Sequence, residues 1–304
     1  MIWHLNNTTV RNPVRYLEAL RAYNEYGPIE YLWESEDAQK KFYNLILDAG
    51  LIESKTRDSD WNGRKWRLGL SELGLIAHKS QKEKSKITKT GIELLKASNE
   101  AELQDIYMRV IYNLETRKKG YHSVFRPVPL LLSVIKILRD AGHRDTINQK
   151  EFALTIQDYR PKFSAKDYFE EIIEFRKNVD LNKGKLTAFY DRSLKEVHER
   201  NGNKPKIETI SKEYPDVTFR LLKLSGLFRV EGSKLILNSQ YDKLLDLLSR
   251  DETISSSEEE YYFKIANLPE LPIDDNRDIL ETIVTENFET LKTSPVNISK
   301  LKNE

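Results

Sequence analysis

Apolar residues recur at helical spacing through most of the chain and alternate only in short stretches, which predicts a mainly helical protein with small β elements. Pro13 suits the first turn of a helix running through VRYLEALRAYNEY. A second helix spans Ser35 to Gly50, with Ser35 placed to cap its start and Gly50 to stop it. A third begins near Asn62 or Gly63 and ends around Gly74. Strands at 75–79 and 86–90, joined by a charged turn at 80–85, follow it, and a helix from Gly91 to Ala97 closes the unit.

Residues 99–125 read as a helical connector, with Leu103, Ile106, Val110 and Leu114 at helical spacing and Arg117-Lys118-Lys119-Gly120 ending the helix. Pro127 and Pro129 punctuate entry to an apolar helix at 129–140, after which come NQKEFALTIQD and AKDYFEEIIEFRKN. A loop at 182–184, a helix at 187–200 and a turn at 201–206 lead to KIETISKEYPDVTFRLLKLSG. Phe228-Arg229-Val230, Glu231-Gly232 and Lys234-Leu235-Ile236-Leu237 make a hairpin with glycine in its turn, and YDKLLDLLSR returns to helix.

The second half thus echoes the first: LSELGLIAHK at 70–79 aligns with LKLSGLFRVE at 222–231 as a helix-to-strand junction. A helix followed by a two-stranded wing is the order of parts in a winged helix. The expected fold class is mainly α with small β wings (α+β), as two winged-helix subdomains joined by a helical linker. The expected divisions are an arm at 1–13, subdomains at 14–98 and 126–250, the linker at 99–125, and an acidic linker and helix at 251–304. In that last part SSSEEE and ANLPELPIDDNRD suggest the linker, with one helix at about 276–292.

Charge changes the picture once it is divided. The net charge is +1, yet residues 1–250 carry 44 Lys and Arg against 35 Asp and Glu, whereas residues 251–304 carry 5 against 13. A basic body with an acidic end is the asymmetry expected of a chain that faces a polyanion, although ordinary solvated surfaces give it too. No cysteine is present, which excludes disulfides and thiolate zinc sites and fits a reducing interior. MIWHLNNTTVRNP has no apolar signal region, and VPLLLSVIKIL at 128–138 is too short to span a bilayer. A soluble, cytoplasmic protein without a membrane partner is expected.

The residues suited to duplex DNA fall in three places. Asn6, Asn7, Arg11 and Asn12 supply the paired hydrogen bonds that read adenine and guanine, while Thr8 and Thr9 suit phosphate and Arg15 adds charge. The bland reading of that arm is a polar terminus that caps the first helix. Asn62, Arg64, Lys65 and Arg67 crowd the start of the third helix, where cations oppose the helix dipole at a cost of roughly 0.3–1 kcal/mol each. Trp66 and Leu70 suit the core, and Trp61 fits either role. Lys79, Lys82, Lys84, Lys86 and Lys89 form the first wing. Lys204, Lys206, Thr209, Ser211, Lys212, Thr218, Arg220 and Lys223 offer the same mixture in the second half, with Leu221 and Leu224 as core.

Enzyme motifs are nearly absent. There is no nucleotide-binding loop, dinucleotide fingerprint or His-Glu-x-x-His, and His4, His78, His122, His143 and His198 lack metal-ligand spacing. Glu53-Ser54-Lys55 has the Glu-x-Lys form of a metal-dependent nuclease but follows a helix in a loop, with no strand-borne Asp upstream.

WHLNNTTVRNP, followed by WNGRKWRLGLSELGLI, resembles the opening of AlwI-like type IIS restriction endonucleases. KPKIETISKEYPDVTFRLLKLSGLFRVEGSKLILN is similar to the same region of AlwI/FokI-like enzymes and their nicking relatives. The resemblance covers residues 3–250 in patches. It implies a bacterial restriction protein whose two winged helices read one short asymmetric duplex site as a monomer. It also implies Mg²⁺-dependent cleavage by a separate C-terminal PD-(D/E)xK domain. The expectation is that residues 1–304 are the recognition region, non-catalytic and without a cofactor of their own. A winged-helix transcription regulator or protein-interaction module, reading a palindrome as a dimer, remains the alternative.

Overall fold

A computed structural model describes residues 1–5, 10, 12–26, 36–52, 59–78, 86–116, 124–250 and 253–272. As the hydrophobic spacing predicts, helices dominate, beside one small antiparallel sheet, an α+β arrangement. The first half holds α1 (Arg15–Tyr26), α2 (Glu36–Asp48), α3 (Ser59–Glu72), α4 (Lys89–Lys96) and α5 (Glu100–Tyr112). The second holds α6 (Pro127–Asp140), β1 (Ile147–Asn148), α7 (Gln149–Leu154), α8 (Ala165–Leu181), α9 (Leu186–Arg200) and α10 (Tyr214–Leu224). β2 (Phe228–Glu231), β3 (Lys234–Leu237), α11 (Leu245–Leu248) and α12 (Glu258–Ala266) complete it.

Several elements begin or end away from their expected places. α3 starts at Ser59, so Arg64, Lys65 and Arg67 lie beyond its first turn and the dipole cost inferred for them does not apply. The strands expected at 75–79 and 86–90 reduce, among the described residues, to one bridge between Ile76 and Ile87. Thr88 leaves that strand because its hydroxyl accepts the Gly91 N–H and caps α4, which therefore begins two residues before Gly91. The turn at 80–85 lies outside the described residues. α5 stops at Tyr112, well before the basic run at 117–120, and packs against α4, α6 and α10. β1, which the sequence pattern did not announce, adds to the expected hairpin to give the order β1-β3-β2. Val230 pairs with Leu235 across the hairpin, and Gly232 turns it with φ of 59°.

The internal echo is real at the level of hydrogen bonds. Gly74 and Gly226 both end a helix in the left-handed region, with φ of 66° and 73°. Thr88 N–H meets Leu75 O, and its hydroxyl donates to Gly74 O. In the other half Asn238 N–H meets Leu227 O, and its side-chain amide donates to Gly226 O.

Residues 258–266 form a helix rather than the linker suggested by the acidic run. Ser257 caps α12 by accepting the Glu260 N–H, and three glutamates in its first turn suit the positive end of the dipole. α12 then clasps the first half. The Thr90 hydroxyl donates to Ile265 O at 2.6 Å, Tyr262 stacks on His78 with centroids 3.6 Å apart, and a Cβ on Gly74 would meet Ile265 O at 2.5 Å. The helix expected at 276–292 lies outside the described residues. One apolar cluster, from Trp3 to Leu271, runs through both halves, with a smaller one around Phe175, Phe189 and Val197. Among the described residues no helix is long and apolar enough to cross a membrane.

Candidate nucleic-acid interface

Two glycines decide which face of α3 is left outside. A Cβ at Gly63 would lie 2.3 Å from Gln39 O on α2, and one at Gly69 would lie 2.2 Å from the Tyr16 hydroxyl on α1. Through these close approaches Trp66, Leu70 and Leu73 turn inward, with Trp66 edge-on to Tyr16 at 6.1 Å. Trp61, Arg64, Lys65 and Leu68 remain, at i, i+3, i+4 and i+7, as one outward ridge. Trp61 is 47% exposed, with the Arg64 guanidinium carbon 4.4 Å and Lys65 Nζ 5.0 Å from its ring centroid.

Arg67 is withdrawn from that ridge. It is 5% exposed, and burial, reinforced by Arg64, pulls its guanidinium down to about 10. Asn62 is half-buried beside the ridge. One turn beyond Leu68, burial pushes the Glu72 carboxyl up to about 7. A carboxyl raised in the folded state favours its neutral form, so stability is lost as pH rises from its unfolded value toward 7. A nearby polyanion would raise it further and remove a repulsive charge from the end of the ridge.

The N-terminal segment is core before it is arm. Ile2 pairs with Asp158, Trp3 donates its indole N–H to Ile156 O at 2.7 Å, and Val10 is also buried. His4 lies on Tyr214 with centroids 3.9 Å apart, and Leu5 N–H donates to Thr218 Oγ1 at 3.1 Å. Thr218, expected at DNA, is therefore fully buried and engaged as the anchor of this segment on α10. At the other end Asn12 Oδ1 accepts the Val14 N–H at 3.2 Å, which is the capping role weighed above, and exposed Arg15 donates to Leu51 O. The two anchors sit on α10 and at the start of α1, which packs against α3. Asn6, Asn7, Thr8, Thr9 and Arg11 lie outside the described residues.

The second basic group is looser. Lys204 and Lys206 are exposed before α10, while Thr209 and Ser211 are half-buried, and Ser211 donates to Glu208 O. Lys212 pairs with Glu208 at 3.6 Å and Arg220 with Asp216 at 3.0 Å, each one helical turn apart. Exposed pairs of this kind contribute about 0–1 kcal/mol, so both cations can turn to a phosphate at little cost. Lys223 is exposed on the same helix, as are Lys86 and Lys89 at the base of the first strand pair. Lys79, Lys82, Lys84 and Glu53-Ser54-Lys55 lie outside the described residues. Among the described residues no three His, Cys, Asp or Glu side chains form a group that could hold a metal ion.

A family model described as AlwI restriction endonuclease matches residues 71–304. A search among curated proteins returns no match. Among solved structures the fold is similar to the BpuJ1 endonuclease binding domain, crystallised with pyrene- and phenanthrene-modified DNA. The TM-score is 0.54 over 83% of this chain and 90% of that one, at 13% identity, a likeness of fold alone.

Proposed function

The chain belongs to the AlwI restriction endonuclease family, and from that premise we propose that its described residues recognise a short asymmetric site in duplex DNA, as in a type IIS enzyme. The two helix-and-strand-pair units act as winged-helix subdomains at 14–98 and 126–250, joined through residues 99–125. α3 and α10 approach the major groove, with the N-terminal segment between their anchors, while the strand pairs and exposed lysines hold phosphate. Arg15, Lys86, Lys89, Lys204, Lys206, Lys212, Arg220 and Lys223 take the positioning contacts. The observation that carries this function is the outward ridge of α3, where Arg64 and Lys65 flank an exposed Trp61. Cleavage belongs to a separate PD-(D/E)xK domain. Mg²⁺ would act in that domain, and no metal-dependent step is assigned to the described residues.

Two substitutions separate reading from gripping. Arg64→Ala weakens binding to the duplex selected from a random pool by about 1–3 kcal/mol and relaxes one position of the motif. Lys89→Ala weakens selected and scrambled duplexes alike and lowers the salt slope by about one. Equal losses on both duplexes for Arg64→Ala, measured by fluorescence anisotropy, would overturn α3 as the recognition helix.

A further inference from the structure

We infer that Trp61 sets specificity as a positioning residue, a ring platform that holds the Arg64 guanidinium for one guanine. This inference rests on the assignment of α3 as a recognition helix. A free arginine side chain carries about 2 kcal/mol of rotamer entropy, much of which is lost when its paired donors meet a base edge. A ring 4.4 Å from the guanidinium carbon confines that plane before DNA arrives.

Three features favour the platform over other uses of the ring. Trp61 is 47% exposed although α3 has a buried face, and Trp66 of the same helix is 2% exposed, so the core does not hold Trp61. Arg64 and Lys65 follow it at i+3 and i+4, which places both cations at its ring by helix geometry alone. In an intact duplex each base face is already covered by its neighbours, so the ring could stack on a base only by unstacking a step. Between the two cations the planar and nearer one, Arg64, is suited to a guanine edge, and Lys65 to a phosphate.

The test uses the full chain with two probes, the selected duplex and a scrambled duplex of equal length and composition. Trp61→Leu is expected to weaken the selected duplex roughly 3- to 30-fold, leave the scrambled duplex unchanged, and relax the same base pair as Arg64→Ala. Trp61→Phe, which keeps an aromatic face, retains most of the discrimination. Trp61→Leu combined with Arg64→Ala binds no more weakly than Arg64→Ala alone. Equal losses on both duplexes, additive effects in the double variant, or relaxation at a different base pair overturn the platform. If Arg64→Ala itself leaves the selected duplex unaffected, the assignment of α3 fails and takes the platform with it. If Arg64→Ala discriminates and Trp61→Leu does not, the platform alone falls.

Discussion

Raising salt from about 50 to about 200 mM weakens binding of this chain to duplex DNA by about 10³–10⁵-fold, the loss that accompanies roughly six to ten phosphate contacts. A net charge of +1 gives no hint of so steep a dependence. The charge is distributed unevenly, however, and exposed cations lie on and beside α1, α4 and α10 at Arg15, Lys86, Lys89, Lys204, Lys206, Lys212, Arg220 and Lys223. Each phosphate neutralised releases condensed counterions, and added salt opposes that release. Anisotropy titrations at four salt concentrations give the slope. A drop of less than about tenfold would leave too few phosphate contacts for the proposed surface.

Replacing Glu151 with alanine lowers the unfolding free energy by about 3–5 kcal/mol, the usual cost of stranding one member of a buried ion pair. The Glu151 side chain is 1% exposed and accepts from Arg176 Nε at 2.8 Å and Arg144 Nη2 at 3.3 Å. It also accepts the Asn148 N–H at 2.9 Å, closing the capping box of α7. Arg176 in turn donates to Arg144 O and Thr146 O, both at 2.7 Å, so the carboxylate holds the strand β1 that pairs with β3. Losing it leaves a largely buried guanidinium uncompensated and loosens one edge of the three-stranded sheet. Urea unfolding followed by far-UV circular dichroism measures the effect, and a change below about 1 kcal/mol would contradict this role.

Much of the frame was legible because it depends on neighbours in sequence. Gly50, Gly74, Gly226 and Gly232 take left-handed φ where their helix ends or hairpin turn require it, and α1, α2 and the 228–237 hairpin fall where pattern and punctuation placed them. The misplaced parts depend on distant partners. Ile2, Trp3 and Leu5 read as the start of a polar arm because the groups that bury them, Ile156, Asp158 and Thr218, lie more than 150 residues away. β1 is two residues long and exists only against β3, which no periodicity can announce.

At the candidate interface, a stricter use of helical spacing would have removed two residues. Thr218 lies three residues before Leu221 and four before Leu222, and Arg67 lies three before Leu70, which puts both toward buried faces. Helical spacing also puts Trp61, Arg64 and Lys65 on one ridge, a grouping missed by letting Trp61 fit either role, while the ring-to-cation distances depend on rotamers that spacing does not set. Ser257 followed three residues later by Glu260 was a readable helix start, hidden by treating an acidic run as a linker.

Selection of the full chain against a randomised duplex pool, followed by sequencing of the retained strands, tests the recognition role most directly. Enrichment of one short asymmetric motif, bound by a monomer, is the predicted result. A palindromic motif bound by a dimer, or no enrichment over the starting pool, would contradict it.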